Sequence, residues 1–264
     1  LRITYLAEDT AISGSLRVQL AQADALIERG HEVRFITTGE PLTWRSSRAE
    51  WIYVDDLRQH DGCDGAELAL KFPIVDDVFY RAVSPREHRP LRVLLSGASQ
   101  VESNGIDDGY GAVAHARWFH QKLDLIRVSP WAPSREEPLD SVQEFHVALN
   151  TEEMTRLLHS CDVFLAPNHA SDPLALSARE ALAAGIPCLM TSAHDTWADP
   201  AGYAHFGPEQ NAVELGEKLI ELLEDPSLRE RLRARGREIA EQWRAGRVVD
   251  DLLAAFAAGD GANL

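Results

Sequence analysis

The stretch DVFLAPNHASDPLALSAREALAAGIPCLMTS, residues 162–192, decides how this chain is read. "DVFLAP" is a short apolar run that stops at Pro167, as a buried strand does. "NHASDP" is a loop, "PLALSAREALAAG" spaces Leu and Ala as a helix does and ends at Gly185, and "PCLMTS" is a second strand. Strand, loop, helix and strand make a βαβ unit, which requires parallel strands. Two carboxylates interrupt the apolar pattern: Asp172 just before Pro173, and Glu180 inside the Ala-rich segment. In an open parallel sheet, ligands sit beyond the carboxyl ends of the strands, where helix N-termini point. The free N–H groups there suit a pyrophosphate. Glu180 lies ~12 Å along from Asp172 if the whole span is helical. Carboxylates so placed can accept hydrogen bonds from two separate diols, such as a hexose and a ribose. On spacing alone, an N-cap Asp and a Glu at the helix rim account for the pair at least as well.

The same alternation extends on both sides. "PLRVLLSG" (90–97) is a strand ending at a Gly, "DDGYGAVAHARWFHQ" a helix and "LDLIRVS" a strand. "NTEEMTRLLHSC" is a helix in which Asn150 and Glu153 have capping-box spacing. After Thr191 come two amphipathic helices, "NAVELGEKLIELLED" and "SLRERLRARGREIAEQW", the second boxed by Ser227 and Glu230 after the Asp225-Pro226 break. A last helix runs from about Ala245 to Ala258. At the other end, "RITYL", a helix from Gly14 to Arg29 with Leu16, Leu20, Ala23 and Ile27 on one face, and "HEVRFIT" form a first βαβ unit. Between Gly39 and Phe72 the periodicity is lost.

With 264 residues, 45% hydrophobic and 26% charged, the chain reads as a soluble globular protein with one large core or two modest ones. Its apolar runs fall short of the ~20 residues that span a bilayer, and its opening residues read as a strand rather than a signal peptide. Cys63, Cys161 and Cys188 are widely spaced, which predicts free thiols and a cytoplasmic setting. The net charge of −16 opposes nucleic acid, because a polyanion needs clustered Lys and Arg. "GYGAVA" at Gly109 has the letters of a dinucleotide fingerprint, but it starts a dozen residues past the strand end at Leu95, outside the first tight turn. His115 and His120 do not share a helix face, no cluster has metal-ligand spacing, and Asp55-Asp56, Asp76-Asp77 and Asp107-Asp108 read as solvated turns.

With these residues in place, the chain resembles the retaining glycosyltransferases of the GT-B fold, in the family-4 or glycosyl transferases group 1 type that uses nucleotide sugars. Their donor-binding halves carry an acid, seven residues and a Glu, followed by "EA.A.G.PV" and a strand. Asp172, Glu180-Ala181, Ala183, Gly185, Pro187 and Thr191 occupy those places. "HSCDVFLAPN" is similar to the preceding strand, with Asn168 where Ser is usual, and "RVLLSGASQVESNGIDDGYGAV" to the phosphate loop that opens this half. "KFPIVDDVFYRAV" resembles the linker into it, and "ERGHEV" with "ISGSL" the first βαβ unit.

The resemblance implies an α/β fold of two Rossmann-like domains with parallel sheets facing across a cleft, the N-terminal one incomplete. It divides the chain into an acceptor-side part at 1–75, a nucleotide-sugar domain at 76–243, and a helix at 244–264 returning to the first. It implies a hexosyltransferase that moves a sugar from a nucleotide-sugar donor to an acceptor hydroxyl with retention, without a metal or other cofactor. The partners implied are the donor and a carbohydrate or lipid-linked acceptor, with no nucleic acid, no membrane span, and peripheral membrane contact left open. Glu180 is assigned to the ribose and Asp172 to the sugar. Leu176 and Ser177 are assigned to the diphosphate, Gly97, Asn104 and Gly105 to the phosphate loop, and Thr191 and Gly14 to close approach of the donor.

The chain departs from the pattern at four places. Ala98 stands where the loop's Arg is expected and Asn104 where its Lys is, so both cations that would neutralise a departing diphosphate are missing. The first acid is Asp rather than Glu, and "AHDTWADP" replaces a Gly-rich turn. Only about thirty residues separate the first βαβ unit from the linker, and His60 there carries no family motif. Either stretches of a longer protein are absent or this is a reduced relative; the abrupt loss of pattern near "WIYVDDLRQHDGCDG" favours absent or divergent sequence. The second functional reading is therefore a degenerate relative that binds nucleotide or sugar, or serves as a partner subunit, without turnover.

Overall fold

A computed structural model describes residues 1–7, 9–57, 74–81, 90–169, 176–191 and 202–258. The chain forms two compact units, one of residues 1–77 with 242–264 and the other of 78–241.

In the first unit, β1 (Arg2–Ala7), β2 (Glu32–Thr37) and β3 (Glu50–Tyr53) make a parallel sheet in the order β1-β2-β3. Helix α1 (Gly14–Glu28) connects β1 to β2; Ser13 caps it by accepting from the Leu16 amide, and Gly30, at φ +81°, releases the chain after it. The buried face of α1 is Leu16, Leu20, Ala23 and Leu26, so Leu26 rather than Ile27 completes the stripe. Tyr5, Phe35, Trp51 and Tyr53 stack across the three strands, with centroids 4.9, 4.5 and 6.4 Å apart. Such cross-strand aromatic pairs stabilise a sheet that has few strands. Helix α7 (Ala245–Ala258) adds Val248 and Val249 to this core. Arg45 bridges Asp24 of α1 (2.8 Å) and Asp76 (2.6 Å), tying the helix to the segment that leaves the unit.

The second unit has six parallel strands: β4 (Leu91–Ser96), β5 (Leu123–Ser129), β6 (Glu144–Val147), β7 (Val163–Ala166), β8 (Cys188–Thr191) and β9 (His205–Gly207). Their order is β6-β5-β4-β7-β8-β9. Renumbered from β4, that is 3-2-1-4-5-6, the doubly wound nucleotide-binding order. Strands β4, β5, β7 and β8 read as near-continuous apolar runs because both faces are covered. Helices α2 (Ile106–Arg117) and α5 (Ala212–Glu224) share a core cluster built on Val93, Leu95, Leu125, Val163, Leu165 and Leu189. Glycines set the close approaches: a β-carbon on Gly109 would lie 2.7 Å from the Leu95 side chain, and one on Gly111 2.6 Å from Ala212. Helix α3 (Thr151–His159) begins with the full Asn150/Glu153 capping box, and α4 (Leu176–Ala183) ends near Gly185 at φ +71°.

Helix α6 (Pro226–Ala240) corrects the expected cap: Asp225, not Ser227, accepts from the Leu228 amide, and Pro226 occupies the first turn. Proline at N1 lacks only an N–H that would be unsatisfied anyway, so the cap falls one residue before it. The Cys161 and Cys188 side chains are buried; burial pushes the Cys188 thiol far up, which leaves it unreactive. Cys63 and His60 lie outside the described residues.

Candidate functional site

The strand order reverses between β4 and β7, so the crevice beyond their carboxyl ends is where an open sheet of this order binds ligands. Gly97, the first residue past β4, holds φ +139°, and its amide donates to the Val128 carbonyl at 3.0 Å. The loop then folds back through a short 3-10 turn, Glu102–Asn104, to Gly105, which stands at φ +60° as the N-cap of α2. Both positions need backbone angles that favour glycine. A β-carbon on Gly105 would lie 1.9 Å from the Pro167 carbonyl oxygen, at the end of β7. Loop and strand end are joined further by His169, whose amide donates to the Ser103 carbonyl (2.8 Å) and whose Nε2 pairs with Asp108 (3.0 Å). On the other side of β7, the Thr191 hydroxyl at the end of β8 donates to the Asn168 carbonyl.

Gly97, Asn104, Gly105 and Thr191 are thus brought to the carboxyl ends of β4, β7 and β8 in one unit. Asn104 turns its side-chain amide inward, donating to the Ala98 carbonyl at 3.1 Å, and Ala98 is buried (2% exposed). The segment from Gly97 to Gly105 contains no Lys or Arg and one Glu. Leu176 and Ser177 open α4, the helix that follows β7, and are half-buried; Glu180 sits one turn further in and is 2% exposed. Asp172 lies outside the described residues. Gly14 is the first residue of α1, exposed, in the other unit. Among the described residues, no group of three or more His, Cys, Asp or Glu is arranged to hold a metal ion.

The two helices that start near this crevice differ in charge. Asp107 and Asp108 occupy the first turn of α2, whereas the first turn of α4 has no acid. A helix N-terminus attracts an anion through unpaired N–H groups, and carboxylates on the same turn oppose it.

Behind the loop lies a network that the sequence pattern does not reveal. Arg127 on β5 is completely buried, and its guanidinium donates to the carbonyls of Leu95, Val128 and Gly97 at 2.9, 2.9 and 3.0 Å. Two of its nitrogens also reach Glu137 Oε1, at 2.9 and 2.7 Å. Tyr110 on α2 donates to the same oxygen (2.9 Å), and Ser99 of the loop donates to the other (2.7 Å). Burial alone pushes the Glu137 carboxyl up, but the Ser99 hydrogen bond and the Arg127 charge outweigh it and hold it below its usual range. Burial pushes the Tyr110 hydroxyl up to about 12, so it stays protonated as a donor.

Residues 133–239 match the family model of glycosyl transferases group 1. No curated protein matches the chain's sequence significantly. Among solved structures, it is similar to WaaG, a glycosyltransferase involved in lipopolysaccharide biosynthesis, at 16% identity and a TM-score of 0.70, over 96% of this chain and 99% of that one. A glycosyltransferase from Rickettsia africae gives 11% identity and a TM-score of 0.70, over 97% of each chain. Sucrose-phosphate synthase from Thermosynechococcus elongatus gives 13% identity and 0.67, over 99% and 100%. At such identities these likenesses show the fold. The family match lies within the six-stranded unit, and the chain has an α/β fold of parallel sheets similar to that of GT-B glycosyltransferases.

Proposed function

We propose that this protein is a glycosyltransferase that moves a hexosyl group from a nucleotide-sugar donor to an acceptor hydroxyl with retention of configuration, needing no metal. The donor lies beyond β4 and β7. The observation that carries this reading is the charge contrast between two described first turns at the switch point: that of α2 holds Asp107 and Asp108, whereas that of α4, from Leu176, holds no acid. The donor diphosphate then faces the amides at Leu176 and Ser177, where the helix dipole contributes ~0.3–2 kcal/mol. Gly97 and Gly105 let the opposite loop approach without side chains. Glu180, buried one turn inside α4, accepts from the ribose hydroxyls; a hydrogen bond to a charged acceptor in a desolvated place is stronger than a neutral one. Asp172 is assigned to the sugar, Asn104 to the phosphate loop, and Thr191 and Gly14 to close approach of the donor.

Chemically the protein has little covalent work. The bond from the anomeric carbon to the diphosphate oxygen breaks, the acceptor oxygen bonds on the same face of an oxocarbenium-like sugar, and the acceptor's hydroxyl proton passes to the departing diphosphate oxygen. Catalysis then comes from positioning and from stabilising the departing diphosphate. No helix among the described residues is long and apolar enough to cross a membrane. A carbohydrate or lipid-linked acceptor and a cytoplasmic setting remain part of this proposal.

One feature favours the second reading, binding without turnover: the loop from Gly97 to Gly105 offers no cation, and its Asn104 amide is committed to Ala98. Calorimetric titration with a panel of nucleoside diphosphates and their sugars, followed by a diphosphate-release assay with mixed acceptors, decides. Binding that Glu180→Ala abolishes, together with release, supports the transferase. Binding without release supports the degenerate relative, and no binding to any member ends both.

A further inference from the structure

The Arg127–Glu137 pair is costly to bury and contributes little that apolar residues could not. Replacing a buried ion pair by apolar side chains of similar volume is often neutral or stabilising. What the pair does here is directional. Of the groups it touches, the Gly97 carbonyl and Ser99 hydroxyl belong to the loop after β4, and Tyr110 belongs to the helix that the loop enters. The guanidinium lies 5.8 Å from the centre of the Tyr110 ring and 5.4 Å from that of Phe145, so packing holds it in place. The remaining nitrogen reaches the carbonyls of Leu95 at the end of β4 and Val128 on β5.

We propose that Arg127 and Glu137 are positioning residues for the donor loop, with Ser99 as the latch: the pair holds Gly97–Ser99 in the one backbone arrangement that fits a nucleotide-sugar donor beyond β4. This rests on the donor site lying at that switch point. A loop without a cation has only shape and backbone dipoles to offer a donor, and those act only if they are preorganised. Among the described residues, the latch is the only hydrogen bond in the network made by a side chain of the loop after β4, so it can be removed without opening the core.

The test compares Ser99→Ala, Ser99→Thr and the double variant Arg127→Met with Glu137→Leu against wild type and Glu180→Ala. Melting temperature, affinity for the nucleoside diphosphate that binds wild type best, donor and acceptor KM, and amide exchange across residues 97–105 are measured. Ser99→Ala raises the nucleotide Kd and donor KM about tenfold or more, the scale of one lost charge-assisted hydrogen bond, with acceptor KM little changed and the protein still cooperatively folded at a modestly lower melting temperature. Ser99→Thr restores both. The double variant stays folded yet loses donor affinity, and loop amides exchange faster in it and in Ser99→Ala. If both folded variants bind nucleotide as wild type does, while Glu180→Ala does not, the pair is structural only and the proposal falls. If wild type binds no nucleotide, the donor-site reading falls and takes this proposal with it.

Discussion

The α-carbon of Gly105 faces the carbonyl of Pro167 so closely that a β-carbon would lie 1.9 Å from the oxygen. This contact joins the loop after β4 to the end of β7 at the point where the strand order reverses. Its closeness follows from two local facts: Gly105 caps α2 at φ +60°, and Gly109 lets the same helix descend onto Leu95 and Pro167.

Gly105→Ala meets backbone rather than a flexible side chain, so the clash cannot be relieved by a rotamer change. The left-handed φ adds ~1–2 kcal/mol of strain for any L side chain. Denaturant unfolding should show a loss of about 2–4 kcal/mol, with nucleotide affinity falling in the variant that still folds. A loss below ~1 kcal/mol would mean that the two segments separate readily.

The cap of α6 gives a cleaner comparison. Asp225→Ala removes the acceptor of the Leu228 amide and should cost ~1 kcal/mol, whereas Ser227→Ala should stay within ~0.5 kcal/mol. Equal effects from the two would return the cap to the Ser227/Glu230 box.

Acid should act through Glu137. Its carboxyl is held below the usual range in the folded state, so its stabilisation is fully present above the unfolded value and is lost as pH falls through the folded one. Thermal unfolding between about pH 3 and pH 7 should therefore show wild-type stability falling on the acid side. The fall should be shallower in the Arg127→Met with Glu137→Leu double variant. Glu144 and Glu221 are also held low, by His146 with Arg92 and by Lys218 with His205, so a residual slope remains. Identical slopes would remove Glu137 from the account of acid sensitivity.

The alternation of strand and helix from residue 90 onward was legible because both faces of the central strands are covered, leaving near-continuous apolar runs between capped helices. Three strands were not. β3 and β6 are four-residue edge strands with half-exposed side chains, and β9 has only three residues, so none carries a run or a clean alternation. Ser227 was a misleading cap because Ser-x-x-Glu spacing fits a box, while Pro226 in the first turn places the cap two residues earlier, at Asp225. At the site, Gly97 and Gly105 were legible because a positive φ demands glycine. Asp107-Asp108 read as a solvated turn, yet Asp108 pairs with His169, a partner 61 residues away. Nothing in "LDLIRVS" marks Arg127 as buried. Its burial depends on Glu137, which arrives through a connection with no periodicity of its own.

The choice between the two helix starts can be decided by moving one charge. Ser177 lies in the first turn of α4, where a carboxylate complements the helix dipole; Ser177→Asp should therefore leave stability unchanged or raise it by ~0.3–1 kcal/mol. If the donor diphosphate faces that turn, the same substitution places like charges together and should weaken nucleoside-diphosphate binding at least tenfold, which is ~1.4 kcal/mol. Raising the salt concentration should recover part of the loss, because such repulsion is screened. Asp107→Asn removes an exposed acid from the first turn of α2, and its effect on affinity should stay within about twofold, since the phosphates do not sit there. The reverse result, a large gain from Asp107→Asn with Ser177→Asp neutral, would move the diphosphate to α2. Calorimetry on the two single variants, beside thermal unfolding of each, separates binding from stability because the two are expected to change in opposite directions.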